Sequence, residues 1–207
     1  MSEAVFAKPP AHGRISNWLG PQMRTRLLDY AQAHCDSFSV TGVGRGEHKR
    51  VDLTLRRSMR LKQLGDLEGE LQARARETLP AMFERLGAAR FEPSKLELEM
   101  VAHGDGAFYA KHRDTNVFSN AGAAFGNRRI ISAVYYFHSI PKSFSGGVLR
   151  IYSFTDNNDT GSFVDIEPTN DSLVFFPSWF PHEVLPVTCP SGRFEDSRFA
   201  INCWVRR

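Results

Sequence analysis

The stretch SRFAINCWV, residues 197–205, decides how this chain is read. In extended backbone, side chains alternate between two faces, so Arg198, Ala200, Asn202 and Trp204 fall together on one of them. An arginine in a β core is costly unless its charge is matched. Two readings of Arg198 follow: an edge-strand side chain in solvent, or a buried guanidinium that holds a bidentate anion such as a carboxylate. Arg193, four residues after Cys189 in a Gly- and Pro-bounded loop, is a rival for that role, although loop arginines are usually solvated.

Working back towards the N-terminus, seven more stretches have the same character: DSLVFFPS and HEVLPV nearest, then SFVDIEP, GGVLRIYSF, RIISAVYYFHS, AFYAKH and LELEMVAHG. Each is short, most are rich in β-branched and aromatic residues, and Gly, Pro, Asn or Asp punctuate the gaps. Eight such segments from about residue 94 onward predict an all-β sandwich, barrel or jelly roll rather than a parallel α/β sheet. The Gly pair that opens GGVLRIYSF is read as a tight backbone turn with a structural role.

The first half differs. Residues 1–20 read as an irregular arm. Residues 21–35 read as a helix with Pro21 in its first turn. SFSVTGV and VDLTLRRSMRL are extended, on either side of the polar loop GRGEHKR. Residues 65–88 carry the longest helical pattern, with Leu67, Leu71, Ala75 and Leu79 on its apolar face and Pro80 expected to kink or split it. The fold class expected is therefore α+β, mainly β: one domain over 1–207, with a mainly helical support at 1–93 and a β core at 94–207.

Composition limits the function. A formal charge of +3 is too small to argue for nucleic acid or an anionic membrane surface. No apolar run reaches the roughly 18 residues of a membrane helix. The three cysteines form no CxxC pair, and MSEAVFAKPPAHG lacks the apolar core of a secretory signal, so a reducing, cytoplasmic setting is expected. Sixteen phenylalanines suggest a large core or an aromatic-walled cavity; Phe108, Phe175, Phe176 and Trp204 are candidates for a dry wall.

Chemistry is concentrated in YAKHRD. His112 and Asp114 stand two apart, a spacing that lets both point to one face of a strand, and His182 opens another predicted strand. Two histidines and a carboxylate can occupy three adjacent positions of an octahedral Fe(II) and leave three open. The plainer reading, a pair of hydrogen-bonded polar residues at a strand end, remains open on these residues alone.

From Tyr109 to Trp204 the chain resembles the Fe(II)/2-oxoglutarate-dependent dioxygenases, prolyl 4-hydroxylase branch. The resemblance rests on YAKHRD, AVYYFH, SGGVLRIY, VDIEP, LVFFPS, PHEVLPV and SRFAINCW, in that order. It implies a double-stranded β-helix (jelly roll) core with N-terminal supporting helices. It implies Fe(II) on His112, Asp114 and His182, and 2-oxoglutarate held by Arg198, Tyr136 and Asn202, with Tyr109 and Trp204 lining the pocket. O2 is the second cosubstrate and ascorbate the reductant. The carboxylate of Asp114 favours hydroxylation, since halogenating relatives carry a small residue there. The substrate implied is a prolyl residue in a protein or peptide; a free amino acid or other small molecule is the alternative, and a non-catalytic binding module is the reading of a different class.

Two departures stand out. Relatives carry a cosubstrate-contacting tyrosine before the HxD motif, whereas EMVAHGDG has none, which leaves the space to His103 or a water. The segment before Arg198 is longer, through TCPSGRFEDS. The basic loop at 42–58 reads first as a solvated loop and second as a substrate lid, and DTNVFSNAGAAFGNRR after the metal motif is the other candidate lip.

Overall fold

The computed structural model describes residues 9–42, 51–115, 128–153 and 162–207. Residues 43–50 of the basic loop and 116–127 of the stretch after the metal motif lie outside them.

The elements run β1 (Gly13–Ser16), α1 (Gly20–Ala33), β2 (Ser39–Val40), β3 (Arg56–Arg57), β4 (Met59–Leu61), α2 (Leu67–Leu86), β5 (Lys95–His103) and β6 (Phe108–His112). They continue with β7 (Arg129–Phe137), β8 (Ser145–Gly146), β9 (Leu149–Tyr152), β10 (Phe163–Ile166), β11 (Ser172–Pro177), β12 (His182–Val184), β13 (Val187–Thr188) and β14 (Arg198–Arg206). Seven strands form one sheet in the order β1-β11-β7-β14-β5-β4-β2, five form a second in the order β10-β9-β12-β6-β3, and β13 pairs with β8. All recorded pairings are antiparallel. This is the double-stranded β-helix, or jelly-roll, architecture.

Alternation along the central strands sorts the molecule into two interiors. On β14, Phe199, Ile201, Cys203 and Val205 join the large core under the helices, with Leu27 of α1 and Leu71, Met82 and Phe83 of α2. Ala200, between them, belongs to a smaller cluster facing the second sheet with Tyr136, Ile151 and Phe176. β7 divides the same way, since Tyr135 and Phe137 face the helices and Tyr136 faces inward. The phenylalanines therefore mainly build a core. Phe175 packs in the helix-side cluster, against its expected place on a cavity wall, because its neighbour Phe176 takes the inward face.

Two N-terminal expectations are corrected. Gly13–Ser16 is no arm but an edge strand that extends the large sheet beside β11. Helix α2 is not split at Pro80. Proline removes one backbone donor, but Leu79, Met82 and Phe83 on either side are buried in the core and keep both turns in one continuous helix. The helix ends at Gly87, whose φ of 60° suits glycine.

Candidate metal centre and active-site cavity

Strand pairing brings the two histidines together: His182 of β12 lies opposite His112 of β6. Asp114 sits just past the end of β6 rather than within it, and its backbone N–H donates to the Ser178 carbonyl at 3.1 Å. One ligand atom from each of the three residues lies within 4.8 Å of the others. Nδ1 of His112 lies 2.9 Å from the Ala110 carbonyl, and Nδ1 of His182 lies 2.9 Å from the Phe180 carbonyl. A carbonyl only accepts, so each Nδ1 carries the hydrogen and each Nε2 offers its lone pair to the cluster.

Asp114 is fixed just as firmly. Its Oδ2 accepts from the Ser132 hydroxyl at 2.6 Å and from the Trp204 indole at 2.8 Å. Burial raises the Asp114 carboxyl, but His182, His112, Ser132 and Arg129 outweigh it and bring it down to about 2. Burial, then neighbouring His182, pushes His112 down to about 3. An ionised Asp114 and a neutral His112 are the protonation states a divalent cation requires of them.

These residues open on a cavity of about 690 Å³ between the sheets, at whose other end lie Arg198, Tyr136 and His103. The three are 2%, 1% and 4% exposed. No carboxylate pairs with Arg198 among the described residues; its Nη1 lies 3.3 Å from His103 Nδ1 and its guanidinium stands 4.8 Å from the centre of the Tyr136 ring. Arginine can only donate, so Nδ1 of His103 accepts, and the neutral ring carries its hydrogen on Nε2. Burial, then the charges of Arg198 and Arg56, holds His103 in that neutral form. Three buried polar atoms here lack a partner among the described residues: Arg198 Nε, Tyr136 Oη and His103 Nε2. A dicarboxylate's far end, acceptor-only and anionic, matches this set of donors, so the residues fit a bound dicarboxylate such as 2-oxoglutarate.

Of the other residues singled out in the sequence, Asn202, Tyr109 and Trp204 line the cavity, with Tyr109 stacked on His112 at 3.5 Å. Phe108 is not among the lining residues. Arg193 is exposed and bonds Asp196 at 2.8 Å. The second glycine of GGVLRIYSF does more than turn the chain. Gly147 has a φ of 68°, and a Cβ there would stand 2.5 Å from Arg198 Cδ, so its bareness makes room for the arginine. Ser132 and the Trp204–Asp114 bond had no signal in the sequence.

Residues 98–206 match the 2OG-Fe(II) oxygenase superfamily. The chain belongs to that family. It is 33% identical over 214 residues to a Synechocystis protein described as an uncharacterized PKHD-type hydroxylase, covering 100% of this chain and 66% of that relative. The chain thus spans somewhat under two thirds of the relative's length. The fold of this oxygenase is similar to that of a Pseudomonas putida prolyl-4-hydroxylase, with a TM-score of 0.68 and 24% identity over 96% of this chain and 94% of that one. It is also similar to a Trichoplax adhaerens prolyl hydroxylase solved with a hypoxia-inducible-factor peptide fragment, with a TM-score of 0.64 and 22% identity over 95% and 83%. Family membership implies Fe(II), 2-oxoglutarate and O2 as the reacting set of this oxygenase.

Proposed function

We propose that this protein hydroxylates an unactivated C–H bond of a prolyl residue in a protein or peptide. The observation that carries the reading is one cavity with a metal-ready triad at one end and an unmatched buried arginine at the other. His112, Asp114 and His182 would hold Fe(II), with Ser132 and Trp204 fixing the carboxylate. Arg198, Tyr136 and His103 would donate to the distal carboxylate of 2-oxoglutarate, and Asn202 would face the same ligand. Bound together, iron and 2-oxoglutarate supply the oxidative chemistry; the chain supplies orientation and keeps water out.

The prolyl assignment is supported by the fold likeness to prolyl hydroxylases and by relatives of the same family. Ascorbate as reductant and a cytoplasmic setting complete the proposal; free Cys35, Cys189 and Cys203 are consistent with the latter. No helix among the described residues is long and apolar enough to cross a membrane.

The test is succinate formation from 2-oxoglutarate with Fe(II), ascorbate and a proteolysed lysate, followed by mass spectrometry. A 2-oxoglutarate-dependent gain of one oxygen on peptide proline is expected. The same gain on a free metabolite would move the substrate to a small molecule, and absence of both succinate and iron binding would leave a non-catalytic module.

A further inference from the structure

The outer wall of the cavity carries positive charge that the inner site does not use. Eight arginine and lysine side chains line the cavity, against three carboxylates. On the reading proposed above, a divalent cation and a dicarboxylate balance Asp114 and Arg198, so the inner site is neutral once loaded. Part of that surplus lies in two clusters on β5 and its neighbours, apart from Lys62, Lys111 and Arg113. In one, Glu97 is bonded by both Arg129 at 2.7 Å and Arg206 at 2.6 Å, and Arg129 also stands 3.8 Å from Asp114, whose charge the metal would take up. In the other, Glu99 is shared by Arg60 at 3.2 Å and Arg56 at 3.8 Å, and the buried Nε of Arg60 has no partner among the described residues.

Each cluster therefore sets two guanidiniums against one carboxylate. All six side chains are no more than 29% exposed. A cation surplus held this far from water is stabilised by an arriving anion. Burial works to raise the Glu97 carboxyl, but Arg129 and Arg206 bring it below its ordinary value, so it stays ionised and the cluster keeps its single positive charge. Glu97 and Glu99 are two apart on one strand, which places the clusters about 7 Å from each other. Carboxylates two residues apart in an extended peptide have the same spacing.

We propose that this wall recognises an acidic substrate: a peptide segment with Asp or Glu side chains two residues apart near the reacting residue, met by Arg60 with Arg56 and by Arg206 with Arg129. The charge gives the cavity attraction over distance as well as a place to seat the chain.

The test is fluorescence anisotropy under anaerobic conditions, with the full chain loaded with Fe(II) and 2-oxoglutarate. The probes are three fluorescein-labelled proline peptides that differ only in a flanking Asp-x-Asp, Asn-x-Asn or Lys-x-Lys. The Asp peptide is expected to bind about 10-fold tighter than the Asn peptide and more tightly still than the Lys peptide, with the gap narrowing as salt is raised. The double substitution R60Q/R206Q should bring the Asp-to-Asn ratio close to one. E99Q removes the competing carboxylate and should tighten the Asp peptide, a gain that a misfolded variant cannot mimic. Equal binding of the three peptides, absence of binding, or an Asp preference that survives R60Q/R206Q and ignores E99Q would overturn the proposal. Loss of succinate formation with the Asp preference intact would instead overturn the hydroxylase reading.

Discussion

Tyr135 and Tyr136 are neighbours on β7 and equally buried, at 0% and 1% exposure. They face opposite interiors. The Tyr135 hydroxyl bonds Asp171 at 3.0 Å, and the same carboxylate accepts from the backbone N–H groups of Leu19 and Gly20 at the start of α1. The Tyr136 hydroxyl has no partner in hydrogen-bond geometry among the described residues, with the Arg198 guanidinium beside its ring. The pattern extends beyond the pair. Of the five buried side-chain atoms without partners among the described residues, four belong to cavity-lining residues and none to the helix-side core. A fold that satisfies its polar groups on one face of a sheet and leaves donors waiting on the other is built to be completed by a ligand.

If that contrast is right, inner-face substitutions should cost binding and spare stability, while outer-face ones should do the reverse. The largest effect belongs to Asp114→Ala. It should abolish iron retention, measured by metal analysis after desalting, and lower turnover by more than about 100-fold, since loss of even an outer-shell partner commonly costs 10–100-fold.

Next is the pair Arg198→Met and Phe199→Ala. The first should weaken 2-oxoglutarate binding by about 30-fold or more, read by calorimetry, because a buried charge pair is worth about 2–5 kcal/mol. It should not lower the melting temperature of the ligand-free protein, since a lone buried guanidinium gives way to an apolar side chain of similar length. Phe199→Ala should cost about 3–5 kcal/mol in denaturant unfolding while 2-oxoglutarate affinity holds. Arg193→Ala should do neither. Equal destabilisation by both β14 variants would erase the distinction between the faces.

Acid probes the inner face, together with His138 outside the cavity, which burial also lowers. His103 and His112 are held neutral in the fold, below the ordinary histidine value of 6.5. The unfolded chain takes up their protons below that pH and the folded chain does not, so this part of the stability is complete above pH 6.5 and declines as pH falls. Each group contributes a slope of up to about 1.4 kcal/mol per pH unit. Melting of the metal-free protein from pH 7.5 to 5 should show the decline, and His103→Gln should flatten it.

The smallest effects fall on the tyrosines. Tyr135→Phe strips a donor from Asp171 and should cost about 1 kcal/mol of stability. Tyr136→Phe should leave stability unchanged and weaken 2-oxoglutarate by about 5-fold, the equivalent of one ordinary hydrogen bond.

Much of this was legible from local pattern. Two-residue alternation predicted the strands from residue 94 onward and put Arg198, Asn202 and Trp204 on one face. Helical spacing placed α1 and α2, and HRD with the later histidine marked the triad. Pattern failed where the deciding partner was distant. GRIS has too little apolar periodicity to announce a strand, and only pairing with β11 makes it one. Pro80 breaks an isolated helix but not one pinned on both sides.

Residue type and period are properties of the chain itself, so the sequence alone determined most of the strands from residue 94 onward, which faces they share, and that a His-Asp-His set with an arginine was available. Hydrogen-bond satisfaction and charge balance depend on groups far apart in the chain. Trp204 reaches Asp114 across 90 residues and Arg198 reaches His103 across 95. Only the tertiary structure could decide that Tyr135 is satisfied and Tyr136 is waiting, that His103 stands beside Arg198, and that two glutamates are shared among four arginines at the cavity wall.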